Sequence, residues 1–231
     1  MSGVTYAGGM PRVTAAYRER QTDRILQAAE ECFARSGFQA TSMDEVIAAA
    51  GMSSSTVYRY FPEGKRSLIR AVLTRRMGPL VERIKRIAES EEPLDFERDF
   101  IEALTLLNYQ RHGAAAGSEA DRQDDAHEAP GDVGLSSWAP LAYHAWGELT
   151  RDPEMSVLVQ EGYRDIRGGL IRLCRNGQRV GTISCRLSPD QLASLIQSVS
   201  FGLVVEQLIT GRADVEGAAA TLRQLLAPEG V

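Results

Sequence analysis

Residues 41–68 read TSMDEVIAAAGMSSSTVYRYFPEGKRSL, and the spacing of their apolar and capping residues decides the fold. Ser42 is placed to cap a short helix, with Glu45 three positions on to complete a capping box. Val46, Ile47 and Ala50 recur at helical spacing and give that helix one apolar side. Gly51 supplies the left-handed backbone that ends a helix without a Cβ penalty. Ser53 caps a second short helix, in which Val57 and Phe61 sit four apart on the inner side. Lys65 then opens a longer helix. The pattern is a helix-turn-helix over residues 44–63.

What the second helix leaves outside is Ser54, Ser55, Thr56, Tyr58, Arg59 and Tyr60. Hydroxyls and tyrosines bond phosphates or base edges, and an arginine bonds a guanine edge bidentately, so this face suits a DNA major groove. No acidic residue lies between Gly51 and Pro62 to repel phosphates. The residues that face bases in this reading are Ser54, Ser55, Thr56, Tyr58 and Arg59. Thr41, Ser42, Tyr60 and Lys65 face the backbone, the first two where a helix N-terminus offers free N–H groups. Spacing alone equally allows an ordinary helical hairpin, since short helix pairs are common. The alternative function is then a helical protein-interaction adaptor without DNA binding.

The stretch resembles the DNA-binding domain of the tetracycline-repressor (TetR) family of one-component regulators. The matching residues begin with Ile25, Ala28, Ala29, Phe33, Gly37 and Phe38. They continue through Ala40-Thr41-Ser42, Val46, Ala48, Ala50-Gly51, Ser53, the run from Thr56 to Pro62, Lys65 and Leu68. The resemblance covers residues 20–70, and the Thr-Val-Tyr-Arg-Tyr-Phe-Pro run followed by Lys is its most specific part. Pro62-Glu63-Gly64 before Lys65 is one residue longer than in many members, which shifts the start of the fourth helix. The resemblance supports DNA contacts around Thr41, Thr56, Tyr58, Tyr60 and Lys65, without saying which bases are read.

Charge fits this division. The net charge is −5, yet residues 1–90 carry 14 Lys/Arg against 9 Asp/Glu, and residues 91–231 carry 12 against 22. A basic end on an acidic body is expected where only one end touches phosphates. The three cysteines, Cys32, Cys174 and Cys185, are scattered without a CxxC, which reads as reduced thiols in a cytoplasmic protein. No run approaches the ~18 apolar residues of a membrane helix, so no membrane partner is expected. The first twenty residues lack the apolar core of a signal peptide.

Residues 1–20 are read as a flexible arm, 21–81 as the DNA-binding domain and 82–231 as a regulatory and dimerisation domain. The first helix starts at Thr22 or Asp23 and ends at Gly37, with Ile25, Leu26, Ala29, Cys32 and Phe33 inside; Arg24 is placed to reach the DNA backbone. Pro79, after Gly78, is expected to kink the long helix from Lys65. Residues 95–112 return to helical spacing. Residues 113–134, with one branched aliphatic and no aromatic, read as a disordered loop. His127 beside Asp124, Asp125 and Glu128 is read there as solvated charge rather than a metal site.

Further helices run from Ser136 or Ser137 to Leu149 and from Asp152-Pro153 to Asn176-Gly177. Another starts at the Ser188-Pro189-Asp190-Gln191 cap, and the last follows Asp214, with Val215, Ala218, Ala219, Leu222, Leu225 and Leu226 inside. The helix behind Ser188 is apolar nearly all round, which places it in a core or against a partner. The fold class is all-α: about nine helices, with an N-terminal three-helix helix-turn-helix DNA-binding domain and a C-terminal helical ligand-binding and dimerisation domain.

The body resembles the family's regulatory half in layout. That implies a homodimer through residues 189–226 and a pocket for an unknown small-molecule effector. Candidate pocket residues are Phe100, Tyr109, Trp138, Tyr143, His144, Trp146 and Tyr163, although aromatics at helical spacing fill cores first. Enzyme signatures are missing: there is no HExxH, GxSxG, P-loop or dinucleotide fingerprint, and His112, His127 and His144 share no ligand spacing. No catalytic residue, metal or cofactor is expected. The function expected is a sequence-specific, ligand-responsive repressor on a palindromic double-stranded DNA operator, with half-sites about 34–36 Å apart or a little more.

Overall fold

A computed structural model describes residues 14–90, 94–108 and 135–228. Nine α-helices and one short 3-10 turn account for the regular structure of these residues, and no strand occurs among them. The helices are α1 (Ala15–Ala40), α2 (Met43–Ala50), α3 (Ser54–Tyr60), α4 (Lys65–Glu89), α5 (Phe96–Thr105), α6 (Trp138–Gly147), α7 (Pro153–Val180), α8 (Pro189–Thr210) and α9 (Val215–Leu226). The Tyr109 candidate and the 113–134 loop lie outside the described residues.

The head is built from α1, α2, α3 and the start of α4. Ile25, Ala29, Phe33 and Phe38 of α1 meet Val46, Val57, Leu68 and Val72 in one dry core. Phe33 and Phe38 pack edge to face with centroids 5.1 Å apart. Several sequence expectations for α1 change. It starts at Ala15, capped by Thr14, so residues 15–20 of the expected arm are helix. Gly37, at φ 80°, breaks the regular helix as expected, and the chain resumes a final helical turn to Ala40.

α4 runs unbroken through Gly78 and Pro79, where the sequence predicts a kink. It passes from the head into the body, packing on α1 at one end and along α7 at the other. The 95–112 helix is shorter than expected: α5 ends at Thr105 and a 3-10 turn covers Leu106–Asn108.

α7 continues past the expected stop at Asn176-Gly177 to Val180 and ends on Gly181 at φ 80°. Gly177 is buried because a Cβ there would lie 2.6 Å from Ile183 Cδ1. Close packing of the following loop, rather than termination, needs this glycine.

The caps at Asp152, Ser188 and Asp214 form as the sequence predicts, with Gln191 completing a capping box on α8. α8 is long and apolar enough to cross a membrane by length and composition, with a mean hydropathy of 1.6 in its best window. That corrects the expectation that no run reaches this length. Here it packs in the bundle against α6, α7 and α9. Leu225 points outward rather than into the core.

Candidate nucleic-acid interface and body cavity

The geometry of the helix-turn-helix is set by its caps. Ser42 Oγ accepts from the Glu45 N–H, while the Ser42 N–H donates to Glu45 Oε2 at 2.6 Å. These bonds, the backbone one first, hold the Glu45 carboxyl below the usual carboxylate range. The first turn of α2 therefore carries two acids, Asp44 and Glu45. Gly51 closes α2 at φ 60°, and Arg24 Nη2 donates to its carbonyl at 3.4 Å. Arg24 thus sits beside the turn, bracing it with an exposed guanidinium.

α3 is anchored by Val57, which is fully buried, and by the Ser53 cap. Ser53 Oγ lies 3.1 Å from Ser55 Oγ and 2.8 Å from Thr56 Oγ1. Ser54, Ser55, Tyr58 and Arg59 are exposed, Tyr58 at 42%; Thr56 and Tyr60 are half-buried. The Arg59 guanidinium lies 5.6 Å from the centre of the Tyr60 ring, a cation–π distance. Five hydroxyls and one guanidinium therefore share a short helix whose first turn has no acid.

Two expected backbone contacts change character. The Thr41 side chain is 1% exposed, and its hydroxyl donates to Gly37 O at 2.8 Å with Cys32 O at 3.1 Å. It braces the end of α1 and presents no hydroxyl to solvent, because closing the Gly37 break requires a buried donor there. Lys65 Nζ donates to Gln39 O and Thr41 O, both at 3.1 Å, tying α4 to the α1–α2 junction. Two of its three N–H groups are so used, leaving one for a phosphate. Ser42 is exposed, but its cap occupies both its N–H and its hydroxyl.

In the body a cavity of about 680 Å³ opens between α4, α5, α6, α7 and α8. Of the expected pocket residues, Phe100, Trp138, Trp146 and Tyr163 line it. Tyr163 stacks on Phe201 at 5.8 Å, and Trp146 meets the same ring edge-on at 5.4 Å. Tyr143 and His144 do not line it. Tyr143 points outward, 56% exposed.

His144 packs instead on the head, tilted against Phe38 at 6.4 Å. A Cβ on Gly37 would come within 3.0 Å of its ring. One face of α6 therefore meets the cavity through Trp138 and Trp146, and the other meets α1. Glu148 Oε2 completes that second contact by accepting from Gln39 Nε2 at 2.7 Å.

Sequence reasoning missed Gln197 and Phe201 as cavity residues and Arg76 in the buried seam. A glutamine inside the apolar run of α8 was the available signal for Gln197. Arg76 is buried, with Nε 3.2 Å from Glu30 Oε1 and Nη2 donating to Ser137 Oγ at 2.7 Å. Nothing in the pattern of α4 marks it. No group of three or more His, Cys, Asp or Glu is placed to hold a metal among the described residues.

Comparison with known proteins agrees with this geometry. Residues 25–72 match the model for bacterial regulatory proteins of the tetR family, and residues 129–229 match that for the C-terminal part of BetI-type transcriptional repressors. The HTH-type transcriptional regulator UidR of Escherichia coli is 22% identical over 186 residues, covering 79% of each chain. Salmonella enterica GusR has a similar fold, with TM-score 0.65 and 22% identity over 92% of this chain and 95% of that one. SmeT, the repressor of the Stenotrophomonas maltophilia multidrug efflux pump SmeDEF, has TM-score 0.63 and 19% identity over 90% of this chain and 91% of SmeT. With the two family models meeting the head and the body respectively, the chain belongs to the tetracycline-repressor (TetR) family of DNA-binding transcriptional regulators.

Proposed function

We propose that the protein is a cytoplasmic, ligand-responsive repressor that binds a palindromic operator as a homodimer. The observation that carries this reading is the outward face of α3. Ser54, Ser55, Tyr58 and Arg59 stand exposed on a helix whose opposite side is locked by Val57. Base-edge readout falls to these four with Thr56, and Tyr60 and Lys65 position the helix on the phosphates.

Dimerisation is assigned to α8 and α9, which leave Val205, Leu208, Ile209 and Leu225 exposed, Ile209 at 76%. A contiguous apolar surface of this kind marks an interaction site. Two-fold pairing of these helices gives the two α3 helices their spacing, and a palindromic site follows from the symmetry.

The cavity supplies the switch. SmeT has also been solved as a complex with triclosan, which supports a small-molecule effector here. An effector releases the operator only if it binds the non-DNA-bound arrangement better. α6 is the shortest physical route between the two sites, since it lines the cavity and holds α1 through His144 and Glu148. α4, which carries Pro79 through the cavity wall and ends at Lys65, is a parallel route.

Selection of bound fragments from genomic DNA tests the proposal. A palindromic motif with half-sites about one helical turn apart or a little more is expected. Recovery of no enriched motif counts against it.

A further inference from the structure

The cavity carries one polar atom that the fold leaves without a partner. Gln197 lies in the middle of α8, 3% exposed, and its Nε2 donates to Tyr163 O at 3.2 Å. A carbonyl accepts and cannot donate, so this contact fixes the amide with Nε2 toward α7. Oε1 then points the other way, buried and without a hydrogen-bond partner, in a residue that lines the cavity. Leaving an amide oxygen unpaired away from water is costly, and a native site that does so is shaped for something that fills it.

The other polar groups near this space are already engaged. Asp99 Oδ1 accepts from Arg83 Nη2 at 2.8 Å and lies 3.5 Å from Arg98 Nη2. Ser200 Oγ donates to Ile196 O at 2.9 Å, and Tyr163 Oη takes a bond from Arg167 Nη2 at 2.9 Å. Glu82, Glu161 and Asp165 are the further carboxylates on the lining, and all three are exposed. No Lys, Arg or His is among the described lining residues. An anion entering this space would meet carboxylates and apolar walls with no cation to pair with, which is unfavourable in low dielectric.

Resting on the proposed ligand-responsive reading, we infer that the effector is an uncharged, largely aromatic molecule whose single N–H or O–H donates to Gln197 Oε1. The rings lie against Trp146, Tyr163 and Phe201, whose mutual stacking already builds an aromatic wall beside that oxygen. The size of the cavity falls within the range of drug-sized sites, about 300–1,000 Å³. The donor sets orientation, and the apolar walls supply the affinity.

Carbazole, dibenzofuran and carbazole carboxylate separate these terms, because they share a three-ring shape and differ in having an N–H, no donor and a negative charge. Equilibrium dialysis of each against the full-length protein is the measurement. Carbazole should bind about tenfold or more tighter than dibenzofuran, and the carboxylate should bind weakest. In Gln197→Met, which keeps length and removes the acceptor, the preference for carbazole should fall to about twofold or less.

Equal binding of carbazole and dibenzofuran overturns the inference, as a water on Oε1 would produce that result. So does no binding of any of the three, or a carbazole preference that survives Gln197→Met. Should Gln197→Met fail to fold, the ranking on the unsubstituted protein decides alone. A parallel titration with the selected operator keeps the readings apart. Intact operator binding with no donor preference sinks only this assignment, whereas loss of operator binding sinks the regulator reading beneath it.

Discussion

Ser53 illustrates how much rests on single side chains. Its hydroxyl caps α3 and gathers Ser55 and Thr56 into one polar cluster. Removing such a cap costs about 1 kcal/mol, so Ser53→Ala should lower unfolding stability by that amount in urea titrations. It should also weaken DNA binding, because α3 loses its fixed entry. Gly177→Ala should cost about 1–3 kcal/mol, since the new methyl drives into Ile183.

The cysteines divide in the same residue-by-residue way. Burial pushes the Cys174 thiol up to about 12, so it stays protonated and inert at neutral pH. Cys32 is buried as well, and Cys185 is exposed. An aromatic disulfide reagent should titrate one thiol in the native protein and three after denaturation. Three fast thiols in the native state would refute this division.

At the scale of elements, caps and periodicity made most helices legible. Ser42, Ser53, Asp152, Ser188 and Asp214 all cap where local chemistry predicts, because a cap is a contact between near neighbours. What stayed hidden was tertiary. Gly177 reads as a stop until Ile183 is seen against it. His144 reads as a pocket residue until α6 is seen against Gly37 and Phe38, and Thr41 as a phosphate contact until its hydroxyl is seen inside. The exposed face of α3 was legible because a seven-residue helix with one buried anchor has little choice of orientation.

The α1–α4–α6 seam is the clearest element-level device that the sequence hid. Arg76 of α4 lies against Glu30 of α1 and bonds Ser137 at the start of α6. Burial raises the Glu30 carboxyl and lowers the Arg76 guanidinium, each partly offset by the other. An acid raised in the native state binds its proton more readily there than in the unfolded chain. Its contribution to stability therefore improves as pH falls through the native value and worsens above it. Arg76→Ala should cost about 3 kcal/mol at neutral pH by stranding the Glu30 charge. Part of that loss should return at mildly acidic pH, as Glu30 takes up a proton. Urea titrations at the two pH values check both halves; an equal loss at each would show that the stranded charge is not the cause.

The whole molecule is a basic head on an acidic body, joined by α4 and α6. Its proposed assembly rests on the apolar strip of α8 and α9. Ile209→Glu places a charge at the most exposed apolar residue of that strip, so sedimentation should change from dimer to monomer. Operator affinity should fall with it, since each monomer then binds a half-site alone. A dimer unaffected by this substitution would place the interface elsewhere.

The central claim is that the outward side of α3 reads DNA. Its most direct measurement is fluorescence anisotropy of a selected operator duplex and a scrambled duplex, titrated with the native protein and with Tyr58→Ala across a salt series. The native protein should prefer the operator and lose affinity steeply as salt rises, through released counterions. Tyr58→Ala should lose about tenfold or more on the operator, a 1–3 kcal/mol contact, and little on the scrambled duplex, with its helical content unchanged. Equal operator binding by the native protein and Tyr58→Ala, or binding indifferent to both sequence and salt, would contradict the account.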